Sequence, residues 1–254
     1  MDPFFLLLFA ALLVGTAKGG LSTVGSLAVP LTALAMNPIT AATMLLPVFI
    51  VTDWVAVYLF RRSYSRPNLL ILVPSMLLGI AMATLMVSFA PEAILLILTG
   101  MIGLWYCLRS WWRSWSRIKG RRAAPVSTQP AVFPGVIWGT LAGIASYLTH
   151  SAGPPTQAYL LPQNLPKLQY AGTIAICFAI INLSKLPGYA LAGQFQGLDW
   201  TLIPWLIAFG ILGTGLGRWL TGLLPQAIYV RVIEGLLLVL SVILLIKGLT
   251  MLLE

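Results

Sequence analysis

The sequence predicts an all-α polytopic membrane protein of two inverted repeats, each a broken or re-entrant helical hairpin followed by three transmembrane helices. Three observations predict it. The 254 residues are 59% apolar and only 8% charged, where a soluble domain carries about a quarter charged residues. Apolar blocks of roughly 20 residues, long enough to cross a bilayer as helices, recur along the whole length. The two halves of the chain also repeat one order of elements: a broken block, a proline, a short link and a span with an A-x-T element.

The elements follow in chain order. The opening MDPFFLLLFAALLVGTAKG has neither the basic n-region nor the A-x-A site of a signal peptide and reads as a retained segment. The first apolar block, 4–35, is too long for one span and is broken by TAKGGLSTVG (16–25). Spans follow at 38–60, 67–89 and 91–108, with the basic connection RRSYSR (61–66) after the first of them. A hydrophilic, basic stretch then divides the chain, giving a first transmembrane repeat 1–108, a cytoplasmic linker 109–133 and a second repeat 134–254. The second repeat opens with 134–163, broken by YLTHSAGPPTQAYLLP (147–162), and continues with spans at 166–192, 201–223 and 226–252.

Sliding one half onto the other by 132 sets Pro30 on Pro162 and Lys18 on His150, and sliding by 130 sets Thr52 on Asn182. Charge sidedness favours re-entrant hairpins over full crossings. If each broken block enters and leaves on one side, Lys167, Arg218 and Arg231 join the basic connections on the cytoplasmic side, while Asp2, Glu92, Asp199 and Glu254 fall outside. Each limb of about 13–15 residues makes roughly 20 Å of helix, so its tip stops within the bilayer. Non-helical backbone at that depth must be buried in protein or line a wet cavity, which makes the tips the expected site.

The first tip offers Lys18, Gly19, Gly20, Ser22 and Thr23. Its glycines let backbone N–H groups face an anion, its hydroxyls can donate, and Lys18 supplies full charge. The second tip offers Thr149, His150, Ser151, Gly153, Thr156 and Gln157, with Pro154 and Pro155 suited to the first turn of a returning helix. Outside the tips, Asp53 is an intramembrane acid, a partner for Lys18 or a proton carrier; Asn182 is a further pathway candidate, and Lys185 either faces the pathway or snorkels to the outer surface. Gly135, Gly139 and Gly143 form a small-residue stripe for close helix packing.

Several classes fall away. The net charge of +9 comes from cations beside apolar spans, which fits topology and lipid headgroups rather than nucleic acid. Cys107 and Cys177 make neither a disulfide framework nor a metal site, and no cofactor is expected. One histidine and scattered carboxylates supply no catalytic constellation, so an enzyme is not expected.

The layout resembles the sulfite exporter TauE/SafE family of membrane transporters. The residues that carry the resemblance are GTAKGGLSTVGSLAVPLTAL (15–34) with AAT (41–43), and GIASYLTHSAGPPTQAYLLP (143–162) with AGT (171–173). The second segment departs from the glycine-rich run usual in the family, keeping only Gly153 at its centre. The resemblance implies an inner-membrane, multi-pass exporter of a small sulfur-containing anion, such as sulfite or a sulfonate, working by alternating access. An importer of a related anion or neutral metabolite, coupled to a proton or cation, is the alternative. The expected partners are the anion, membrane lipid and, in a homo-oligomer, a second copy of the chain.

Overall fold

The structure, a computed structural model, describes residues 3–22, 24–28, 32, 38–86, 130–149, 152–191 and 199–253, with 93–94, 96–97, 100–101, 103–105, 107–108 and 111–112 between them. Among the described residues there are helices and turns and no strand. α1 (Pro3–Lys18) ends in a turn at Gly19 and Gly20, followed by a 3-10 turn at Val24–Leu27. α2 (Pro38–Phe60) and α3 (Arg66–Met86) come next. The described residues between 93 and 112 are helical. The second half runs through α4 (Val132–Thr149), α5 (Gly153–Leu160), a 3-10 turn at Leu161–Gln163, α6 (Lys167–Leu191), α7 (Ile203–Leu223) and α8 (Gln226–Leu253).

Four of the described helical stretches, Arg66–Thr84, Lys167–Gly188, Ile203–Leu223 and Ala227–Leu253, are long and apolar enough to cross a membrane. Large apolar side chains such as Leu70, Trp205, Leu212 and Ile246 point outward from them, while Thr52, Asp53, Asn182, Lys185 and Thr214 are buried inside. That inversion of the soluble pattern suits a bundle whose surroundings are lipid tails. This is an all-α, multi-pass membrane architecture.

Glycine decides which helices touch. Between hydrocarbon-soluble helices there is no hydrophobic drive to pack, so association relies on close backbone approach. A Cβ at Gly15 would collide with the Gly210 carbonyl, one at Gly213 with that of Leu12, and one at Gly217 with that of Thr16. The contact positions rise together, so α1 and α7 run parallel. The predicted stripe works in the same way on α4: Gly135 faces Ile71, Gly139 faces Ser75 and Gly143 faces the Met76 carbonyl. Thus α4 runs parallel to α3. The pattern is reciprocal, since the opening helix of each half packs on the second span of the other, and α2 packs on α6 between them.

Both broken segments fold back. The Tyr159 hydroxyl on α5 donates to the Ala131 carbonyl just before α4 (3.2 Å), and Gln163 and Asn68 exchange hydrogen bonds of 2.9 and 3.2 Å. The two ends of the second segment therefore lie together beside the start of α3. In the first segment, Gly25 returns against Ala17, and Ala28 packs in the same core as Ala10, Ala11 and Val14.

One end of the bundle gathers the basic connection and the start of α6. Ser65 N–H donates to the Thr173 hydroxyl (2.8 Å) and Gln169 donates to the Tyr64 carbonyl (3.3 Å). Lys167 donates to the carbonyls of Gly222 (3.0 Å) and Leu224 (2.5 Å), where α7 ends with orphan acceptors. Asp199 lies before the opposite end of α7. The Thr201 hydroxyl and the backbone N–H of Thr201 both donate to it and hold its carboxyl below the usual range.

Gly15→Ala and Gly143→Ala should each lower the thermal unfolding midpoint in detergent by several degrees, reflecting about 1–3 kcal/mol of overpacking. Gly215→Ala and Gly235→Ala, where a Cβ meets nothing within 4 Å, should leave the midpoint unchanged or raise it, given the roughly 1 kcal/mol advantage of alanine in a helix. Equal losses at all four positions would contradict this packing.

Candidate functional site

Where α2 crosses α6, the chain buries four polar side chains in contact. Asp53 is fully buried, and its Oδ1 pairs with Lys18 Nζ at 2.5 Å. Its Oδ2 accepts from Asn182 Nδ2 at 2.7 Å, a residue 129 positions later. The amide oxygen of Asn182 then accepts from Lys185 Nζ at 3.0 Å. The amide is thereby oriented, with its nitrogen toward the carboxylate and its oxygen toward the ammonium. Lys185 is 1% exposed, so it does not snorkel to an interface.

Two aromatic rings complete the setting. The Lys18 ammonium lies 5.2 Å from the Phe49 centroid and 5.1 Å from that of Phe178, within reach of cation–π attraction. Phe49 and Phe178 have the same chain separation as Asp53 and Asn182. The structure thus pairs Asp53 with Asn182, where sliding the halves sets Thr52 there. Thr52 instead turns its hydroxyl to its own helix, donating to the Val48 carbonyl at 2.6 Å.

The first tip is held by its carbonyls. Thr221 donates to Gly19 O (3.2 Å) and Tyr229 donates to Gly20 O (2.5 Å). The N–H groups of Gly19 and Gly20 are used within the helix end, donating to Gly15 O (2.9 Å) and Ala17 O (3.1 Å). The expectation that these N–H groups face an anion is therefore corrected, because the α1 ladder consumes them. Glycine is needed here for other reasons. A Cβ at Gly19 would strike the Gly217–Arg218 backbone of α7, and Gly20 has φ +127°, a conformation that L side chains rarely adopt.

The tips meet. Gln157 on α5 donates through Nε2 to the Ser22 hydroxyl at 3.1 Å. Helix α5 starts at Gly153 with proline in its first turn, as predicted; its N-cap is Ala152, with no side-chain cap. Thr156 is fully buried and donates to the Ala152 carbonyl at 2.7 Å, so its hydroxyl is engaged in the helix. Of the other candidates, Thr23, His150 and Ser151 lie outside the described residues, and Thr149 is described only as the last helical residue of α4.

Between the two tips lies a cavity of about 40 Å³ lined by Lys18, Gly20, Ser22, Ser146, Asn182 and Lys185, with Phe49 and Phe178 at its walls. At about 10–15 Å³ per water, it has room for about three waters, the scale of a small inorganic anion. Asp53 lies behind this lining. Phe49, Phe178 and Ser146 were not legible as site residues, since an aromatic or serine in an apolar span gives no signal apart from its neighbours. Among the described residues, no group of three His, Cys, Asp or Glu could hold a metal.

The family model described as Sulfite exporter TauE/SafE matches residues 7–245. No curated protein and no solved structure matches the chain.

Removing either partner of the buried pair should cost about 3–5 kcal/mol, because the other charge is left stranded in a low-dielectric interior. Lys18→Ala and Asp53→Ala should each lower the unfolding midpoint sharply, and the double variant Lys18→Met/Asp53→Leu should recover most of the loss. Strictly additive losses in thermal melts would show that the two side chains are not energetically coupled.

Proposed function

The chain belongs to the TauE/SafE sulfite exporter family, and on that premise we propose that it exports a small sulfur-containing anion, sulfite, a sulfonate or similar. The family is one of membrane transporters, and the chain acts as a carrier rather than an enzyme. The observation that carries the reading is the buried, lysine-lined cavity into which both tips reach. An ammonium removed from water is costly unless a counter-charge joins it, and a small anion is the ligand that supplies one. Lys18 and Lys185 attract it, while Asn182 and the Ser22 hydroxyl can donate to its oxygens.

The reciprocal packing of α1 on α7 and α4 on α3 supports two inverted repeats, 1–108 and 134–254, joined by the cytoplasmic linker 109–133. One repeat, or a bundle around it, rocks against the other to expose the site alternately to each side of the inner membrane. An inside-negative potential drives a monoanion outward by about 2.3 kcal/mol per 100 mV, so export needs no coupled ion. Import would need a carrier such as Asp53, whose two oxygens are already engaged by Lys18 and Asn182. That engagement favours export.

Proteoliposomes loaded with sulfite or methanesulfonate should release anion with the wild type, and Lys185→Gln should slow release by about tenfold or more. Flux equal to wild type in both Lys185→Gln and Lys18→Ala would remove the tip site from the pathway. For the threading, single cysteines at positions 199 and 167 should be labelled from opposite faces, 199 from outside. The native thiols, Cys107 and Cys177, are buried. Internal labelling at 199 would favour full crossings of the broken segments.

A further inference from the structure

The cavity holds an uneven charge count. Lys18 and Lys185 both line it, yet among the described residues a single carboxylate, Asp53, stands behind them, and it is bonded to Lys18 and Asn182. Among the described residues, Lys185 hydrogen-bonds to the neutral oxygen of Asn182 and to no carboxylate. Its ammonium has three donors, one of them directed to that oxygen. With both lysines protonated, two cations and one anion leave one positive charge in excess in a buried site. No other charged group among the described residues lines the cavity.

We propose that this count makes the site selective for valency: it takes anions of one negative charge and discriminates against dianions, with Asp53 as the specificity-determining residue. The inference rests on the anion-export reading above. A monoanion brings the four-charge assembly to neutrality. A dianion leaves one net negative charge buried beside Asp53, where Coulomb repulsion is weakly screened. Neutrality also favours the occluded state of the rocking step, since a closed, water-poor site without net charge is the least costly to bury. Lys185 is then the anchor of the anion. Lys18 is held toward Asp53, so its contribution to the ligand is smaller. Hydrogensulfite and alkylsulfonates belong to the accepted class, whereas sulfate and thiosulfate belong to the rejected one.

Methanesulfonate and sulfate separate charge from shape, since both are tetrahedral with five heavy atoms and differ by one charge. Release of each from proteoliposomes, and thermal stabilisation of the detergent-solubilised protein by each, should be measured for a series graded by charge. Wild type, with one excess positive charge, should prefer methanesulfonate by about tenfold or more. Asp53→Asn, with two, should lose or reverse that preference. Lys18→Met, with none, should lose affinity for both anions. Lys18→Met/Asp53→Asn, again with one, should return to preferring methanesulfonate, and it removes the stranded charge if Asp53→Asn alone folds poorly. Equal handling of the two anions by wild type, or an unchanged preference in Asp53→Asn, would overturn the valency filter while leaving anion export standing. Neither flux nor stabilisation with any anion would overturn the export reading and the filter together.

Discussion

A lysine and an aspartate bonded inside an apolar bundle constrain everything around them. Lys18 stands at the end of α1 and Asp53 in the middle of α2, and neither charge could remain buried without the other. Their pairing pins the first broken segment against the α2–α6 crossing. It also fixes Asn182 through the second carboxylate oxygen, and Asn182 in turn holds Lys185. One ion pair therefore orients four polar side chains. Burying such a pair is a weak source of stability compared with apolar packing. Its value lies in specifying where α1 stops.

The first tip is anchored through the backbone of its two glycines. Thr221 and Tyr229 take up the carbonyls of Gly19 and Gly20, and α1 itself takes up their N–H groups. At membrane depth an unmet backbone group has no water to turn to. The same constraint explains the glycines of α1, α4 and α7, which let helices approach until a Cβ would strike a neighbouring carbonyl. The close-packed helices leave a cavity whose polar lining includes the side chains of Lys18, Ser22, Ser146, Asn182 and Lys185. The charge of the site then follows from Lys18, Lys185 and Asp53, and helix dipoles matter less than glycine-rich tips suggest. The turn at Val24–Leu27 is in any case too short to carry much of one.

Much of the architecture was legible because lipid imposes length and polarity so strictly. The spans at 38–60, 166–192 and 201–223 agree with α2, α6 and α7 to within two residues. The stripe Gly135, Gly139 and Gly143 signalled close packing correctly, since small residues four apart on a helix share a face. Lys18 and Asp53 drew attention as intramembrane charges, and their pairing was one of the roles expected. The register between halves was less accessible. Sliding aligned Thr52 with Asn182, and only the crossing of α2 and α6 brings Asp53 to that position. Phe49, Phe178 and Ser146 carried no signal at all, because their role depends on which helices meet.

By itself the sequence determined the environment, the spans, the two breaks and the identity of the charged side chains. These are local properties, set by the energy of placing each residue in hydrocarbon. Tertiary structure decided how those charges are partnered. Whether Lys185 snorkels or turns inward, whether glycine N–H groups face a ligand or their own helix, and which carboxylate neutralises which ammonium all depend on contacts between segments far apart in the chain. The strength of a buried charge depends on its distance to the next one, and that distance exists only once α1, α2 and α6 have packed.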